Sequence, residues 1–225
     1  LENSFRQGGN GPALYARSQG QDTVLLGLHW STQYQGLLAG PGAGIASLVA
    51  TSAPDRIEKL VCIEALGALS HPADEAARRM RESVTAARAL QGKPMRVFES
   101  LEPAIQARMR ANQMSEPVAR LVVERGIREV EHGFAWSSDQ RLTVPTFLRP
   151  VDAQIDALVA GIDCPSRVVF AEPAQPYLPD ETRRRYAAQL RDGDMMVMPG
   201  THHLHMETPA QVAEVIGDFL ANPAR

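Results

Sequence analysis

Gly36-Leu37-Leu38-Ala39-Gly40-Pro41-Gly42-Ala43-Gly44-Ile45-Ala46-Ser47-Leu48-Val49-Ala50 leads, through Thr51, into Ser52-Ala53-Pro54-Asp55-Arg56-Ile57-Glu58-Lys59-Leu60-Val61-Cys62-Ile63-Glu64. A short apolar piece enters a glycine-rich turn. The small residues after the turn carry Ile45, Leu48 and Val49 at helical spacing. Pro54 ends that helix. Leu60 to Ile63 is an unbroken apolar run, the mark of a strand buried on both faces of a parallel sheet. Strand, tight turn, helix and strand make a βαβ unit, and the fold class predicted is α/β.

By itself the turn reads as a glycine-rich connection able to hold an anion at the helix start. It also resembles the nucleophile-elbow region of the α/β-hydrolases, whose pattern is Gly-x-Ser-x-Gly, small residues, a helix, then Pro-Glu-Arg-Val and a strand. Gly42, Ala43, Gly44 and Ala46 match the small residues, and Pro54-Asp55-Arg56-Ile57 matches the tetrapeptide. Counting back from Pro54 sets Gly40 at the position of the family's serine. Glycine tolerates the strained bend but has no Oγ. The next residue, which in the family donates an N–H to the oxyanion hole, is Pro41, which has none. The frame of the elbow is present without its nucleophile.

The chain has 225 residues, 44% of them hydrophobic and 22% charged, with a net charge of -3. That is the composition of an ordinary globular protein, and it gives no reason to expect a nucleic-acid or membrane partner. No apolar run is long enough to span a bilayer. With no signal peptide visible, the expected location is cytoplasmic, although the chain begins with leucine and a lost leader stays open. Cys62 and Cys164 read as buried free thiols.

Thr23 to Trp30 is the first strong apolar run. It fits a strand or a helix; the resemblance of Leu28-His29-Trp30 to the Leu-Gly-Trp piece of the serine hydrolase-like proteins favours the helix. Only 39 residues precede Gly40. A βαβ unit takes roughly 30 residues or more, so upstream strands are expected to be missing. Residues 67–135 read as mostly helical, with helices over 74–90, 96–113 and 117–131. By resemblance, this insertion is the family's helical cap. His132 to Thr143 resembles the serine hydrolase-like segment Trp-x-x-Asp-x-Arg-Leu, in which Trp136 lines the return to the core and Asp139 pairs with Arg141.

A strand over 167–171 resembles the one after which the family's acid often sits. The usual acid position falls near Ala174 or Gln175, neither acidic. Glu172 is therefore the candidate acid, while Asp180 reads as the N-cap of a helix over 181–190. Met195 to Met198 reads as the last core strand. After it, His202-His203-Leu204-His205-Met206-Glu207-Thr208-Pro209 resembles the catalytic-histidine loop, His-x-x-x-x-Glu-x-Pro, and sets His202 as the base. Three histidines and a carboxylate also suggest a metal, but a metal site wants ligands from several rigid elements.

The resemblance implies a mostly parallel sheet flanked by helices, with residues 1–66 and 149–225 forming the core and 67–148 the cap and return. It implies a hydrolase of a small ester or related acyl substrate, with His202 as general base, Gly40 at the vacant nucleophile position and Glu172 as acid. Pro41, Trp136 and His203 are expected to line the binding site. The expected partner is a small molecule, with no cofactor, metal, nucleic acid or membrane; the oligomeric state is not legible. The alternative is an inactive relative that binds a small apolar ligand or a protein.

Overall fold

The computed structural model describes residues 26–27 and 42–221. Gly40 and Pro41 lie outside them. The described residues fall into two units: one holds 26–27, 42–73 and 149–221, the other 74–148.

The first unit is built on a parallel sheet of four strands. These are β1 (Leu26–Gly27), β2 (Leu60–Ile63), β6 (Ser166–Glu172) and β7 (Gly193–Pro199), in the spatial order β1-β2-β6-β7. Its helices are α1 (Gly42–Ser52), α5 (Asp152–Ala160), α6 (Asp180–Ala187), the single turn α7 (Leu204–Glu207) and α8 (Pro209–Ala221). All four residues of β2 are buried. The alternation of a strand explains why. Leu60 and Cys62 turn to one cluster with Ala43, Ala46, Ile155, Val159, Phe170 and Tyr186. Val61 and Ile63 turn to another with Val169, Ala171, Leu204 and Val212. A strand covered on both faces has no polar face to show, hence the unbroken apolar run.

Of the Thr23 to Trp30 run only Leu26 and Gly27 are described, and they form a strand where the helix was favoured: Leu26 pairs in parallel with Val61 and Gly27 with Cys62. Asp180 is not an N-cap either. The cap position is Pro179, and Asp180 is the first helical residue, paired with Arg184 one turn on at 2.7 Å.

The second unit has α2 (Ala76–Leu90), β3 (Val97–Phe98), α3 (Leu101–Asn112), α4 (Glu116–Gly126), β4 (Ile127–Val130) and β5 (Gly133–Trp136). The strands form an antiparallel sheet, β3-β5-β4. The helix read over 117–131 therefore stops at Gly126, and the last residues become one arm of a hairpin. Val130 pairs with Gly133 across a two-residue turn. Gly133 has φ +131°, and a Cβ there would meet Phe98 O at 2.2 Å, so only glycine fits. Asp139 does pair with Arg141, whose Nε donates at 3.0 Å to both carboxylate oxygens. Those hydrogen bonds hold the Asp139 carboxyl down to about 2.

The chain leaves the first unit after Ala73 and returns at Arg149. The two ends are joined inside the first unit, where His71 N–H donates to Pro150 O at 3.1 Å.

Candidate active site

In a parallel sheet the carboxyl ends of the strands share one edge, and ligands of open α/β sheets bind outside that edge. Glu64 follows β2 there, and His202 follows β7. Glu64 sits at φ +61°, an unusual conformation for a residue with a side chain. Its N–H still donates to Val169 O at 2.8 Å, so the ladder with β6 holds the turn. Gly200 at φ +154° opens the loop after β7, and its N–H donates to Glu172 O at 3.2 Å.

These turns bring Glu64 Oε2 to 2.8 Å from His202 Nδ1. The Glu64 side chain is fully buried and that of His202 is 11% exposed. The other carboxylate oxygen, Oε1, accepts the N–H of Ala171. Arg183 Nη2 stands 3.7 Å from Oε2. With Nδ1 committed to the carboxylate, Nε2 is the nitrogen left for chemistry. The Tyr177 hydroxyl is 3.1 Å from Nε2 and 3.2 Å from Nδ1, so it is in line with neither. Burial, then the Glu64 charge, raises that hydroxyl above the ordinary tyrosine range.

A carboxylate holding one imidazole nitrogen is an arrangement that hydrolytic triads also use. Comparisons with known proteins bear on the fold. A hypothetical protein from Pseudomonas aeruginosa PAO1 is 31% identical, with a TM-score of 0.78 over 99% of this chain and 75% of that one. The hydrolase of E-2-(acetamidomethylene)succinate superposes with a TM-score of 0.68 at 17% identity, over 99% of this chain and 74% of that one. A serine hydrolase-like protein of Dictyostelium discoideum is 23% identical over 195 residues, 80% of this chain and 53% of that protein. The chain has the α/β-hydrolase fold. No family model matches it. It spans about half the length of the curated relatives it matches.

Within this α/β-hydrolase fold the expected site residues separate. Glu172 does not reach His202. Its side chain is exposed, and only its backbone carbonyl touches the histidine loop. The carboxylate in contact is that of Glu64, which sequence reasoning passed over. A carboxylate directly ending an all-apolar strand was the available signal. His203 is buried and meets the His202 ring edge-on, centroids 5.3 Å apart, while its backbone N–H donates to Thr201 Oγ1. Trp136 packs within the second unit, against Phe98 at 6.0 Å and the Arg108 guanidinium at 5.0 Å. Among the described residues no group of three or more His, Cys, Asp or Glu side chains is placed to hold a metal ion.

Ser47 is no substitute nucleophile. Its Oγ donates to Ala43 O at 2.8 Å and accepts the Gly67 N–H at 3.1 Å, tying α1 to the turn after β2. Burial pushes the neighbouring Cys62 thiol up to about 12, so it stays a thiol near neutral pH.

His205 supplies a pH dependence. Burial, and next the adjacent His202, push its imidazole down to about 4. The folded protein resists a proton that the unfolded chain takes near pH 6.5, so stability falls as pH drops from about 6.5 to about 4. The expected loss across that window is on the order of 1–3 kcal/mol, since each tenfold weakening of proton binding is worth about 1.4 kcal/mol and the ring is partly exposed. Urea unfolding at pH 7 and pH 4.5 measures it. The same loss in His205→Asn would assign the effect elsewhere.

Proposed function

We propose that the protein hydrolyses a small ester or related acyl substrate, with His202 as general base and Glu64 as the acid that orients it. The observation that carries this is the 2.8 Å contact between Glu64 Oε2 and His202 Nδ1 at the carboxyl edge of the sheet. With Gly40 at the predicted elbow, the base acts on water. His202 Nε2 takes a water proton as the hydroxide oxygen attacks the acyl carbon. The tetrahedral intermediate then expels the alcohol, which takes the proton from the imidazolium. The Glu64 carboxylate, in contact with Nδ1, stabilises that imidazolium. By resemblance, the insertion over 74–148 is the counterpart of the family's cap.

The absent Oγ and the absent Pro41 N–H favour a second reading, a binding protein for a small apolar ligand. Hydrolysis of p-nitrophenyl acetate and butyrate separates the two. General-base catalysis is worth about 10²–10⁴, so His202→Ala is expected to lose at least 10²-fold against the parent. Equal rates would remove the enzymatic reading and leave the binder.

A direct water mechanism forms no acyl-enzyme. Incubation with a fluorophosphonate probe, read by intact mass, is expected to give no adduct. An adduct at Ser31, the serine between β1 and α1 in the sequence, would place the elbow right after β1.

A further inference from the structure

We propose that Arg183 is the positioning residue of the site, holding the Glu64 carboxylate aimed so that one oxygen serves His202. This rests on the reading of Glu64 and His202 as the acid and base.

Arg183 is 2% exposed, although it lies on α6 among arginines facing solvent. A buried guanidinium is retained only where its donors and charge are met. Its Nε donates to Leu178 O at 3.0 Å and its Nη1 to Ala171 O at 2.6 Å. Its face covers the Phe170 ring at 4.7 Å. Nη2 has no hydrogen bond among the described residues, and points at Glu64 Oε2 from 3.7 Å. That is too long for a hydrogen bond but close for a charge.

The arrangement links three elements. Ala171 at the end of β6 gives its N–H to Glu64 Oε1 and its carbonyl to Arg183. The guanidinium and the carboxylate are thus fixed on one residue of β6. Leu178, which takes the Nε donation, adjoins Tyr177, the residue beside His202. The segment between β6 and α6, where by resemblance the acid was expected, carries the Tyr177 hydroxyl and leads into Arg183 on α6, around a carboxylate that follows β2. The fixed fork of arginine suits this better than an ammonium.

Among the described residues, Glu64 from the end of β2, Tyr177 from the segment before α6, and His203 and His205 at α7 act on His202, while Arg183 faces Glu64. Removing the Arg183 charge takes away the cation beside the Glu64 carboxylate that contacts His202. The expected result in Arg183→Met is an upward shift of the His202 titration midpoint by about one pH unit or more. It is read by NMR of the full chain labelled with nitrogen-15 in histidine, with His202→Asn assigning the signal. Arg183→Lys keeps the charge and is expected to hold the midpoint within a few tenths of the parent. A folded Arg183→Met protein with the parent midpoint and ring-nitrogen shifts would overturn the proposal. If Arg183→Met does not fold, Arg183→Lys decides: a midpoint displaced as far as in Glu64→Gln would overturn it. Glu64→Gln also tests the underlying reading. If it leaves the His202 ring nitrogens unchanged, the Glu64–His202 pair itself fails, whatever Arg183 does.

Discussion

Glu64→Ala is expected to destabilise the protein by about 3–5 kcal/mol, the cost of leaving a buried charge without its partner. The Glu64 and Arg183 side chains are 0% and 2% exposed, so water cannot replace what is removed. The Ala171 N–H loses its acceptor at the same time. Whole domains are stable by only about 5–15 kcal/mol, so the variant should unfold at far lower urea. Glu64→Gln keeps the shape and should lose less. Glu64→Leu combined with Arg183→Met is expected to recover most of the loss, because an apolar pair demands no charge balance. A loss under about 1 kcal/mol for Glu64→Ala would mean that the pair is solvated and weak.

Restoring the elbow should show the second large effect. Gly40→Ser returns an Oγ, but Pro41 still denies the oxyanion hole one N–H. One such donor is worth about 10²–10³ in rate, so Gly40→Ser with Pro41→Met should exceed Gly40→Ser alone by on the order of 10². The assay is p-nitrophenyl butyrate hydrolysis with His202→Ala as the blank. Glu64 and His202 already stand in contact, so the new serine would find an oriented base. Equal rates for the single and double variants would show that Pro41 does not occupy the oxyanion position. The partner strand of β2 ends at Gly27 and α1 begins at Gly42, so the elbow would then be sought among the residues between them.

The α/β class was legible because β2 is apolar at every position and α1 is made of small residues, both direct imprints of burial. His202 was legible because its loop has fixed spacing to Glu207 and Pro209. Glu64 was not, because its partnership depends on β2, β6 and β7 lying side by side, and no local spacing encodes strand order. Arg183 was hidden for another reason. Arg183, Arg184 and Arg185 are consecutive, so only one can face inward, and the pattern does not say which. The hairpin β4–β5 was missed because Ile127-Arg128-Glu129-Val130 continues the charge spacing of α4. Only the pairing across Gly133 makes it a strand.

The hydrogen bond from His71 to Pro150 has an evolutionary consequence. It fastens the two stems of the insertion to each other within the sheet unit, so the cost of closing that loop does not depend on what lies beyond the stems. Glu64 is anchored before the first stem, and Arg183 and His202 after the second. Residues 74–148 therefore behave as a cassette. A lineage can lengthen, shorten or exchange it while Glu64, Arg183 and His202 keep their registry.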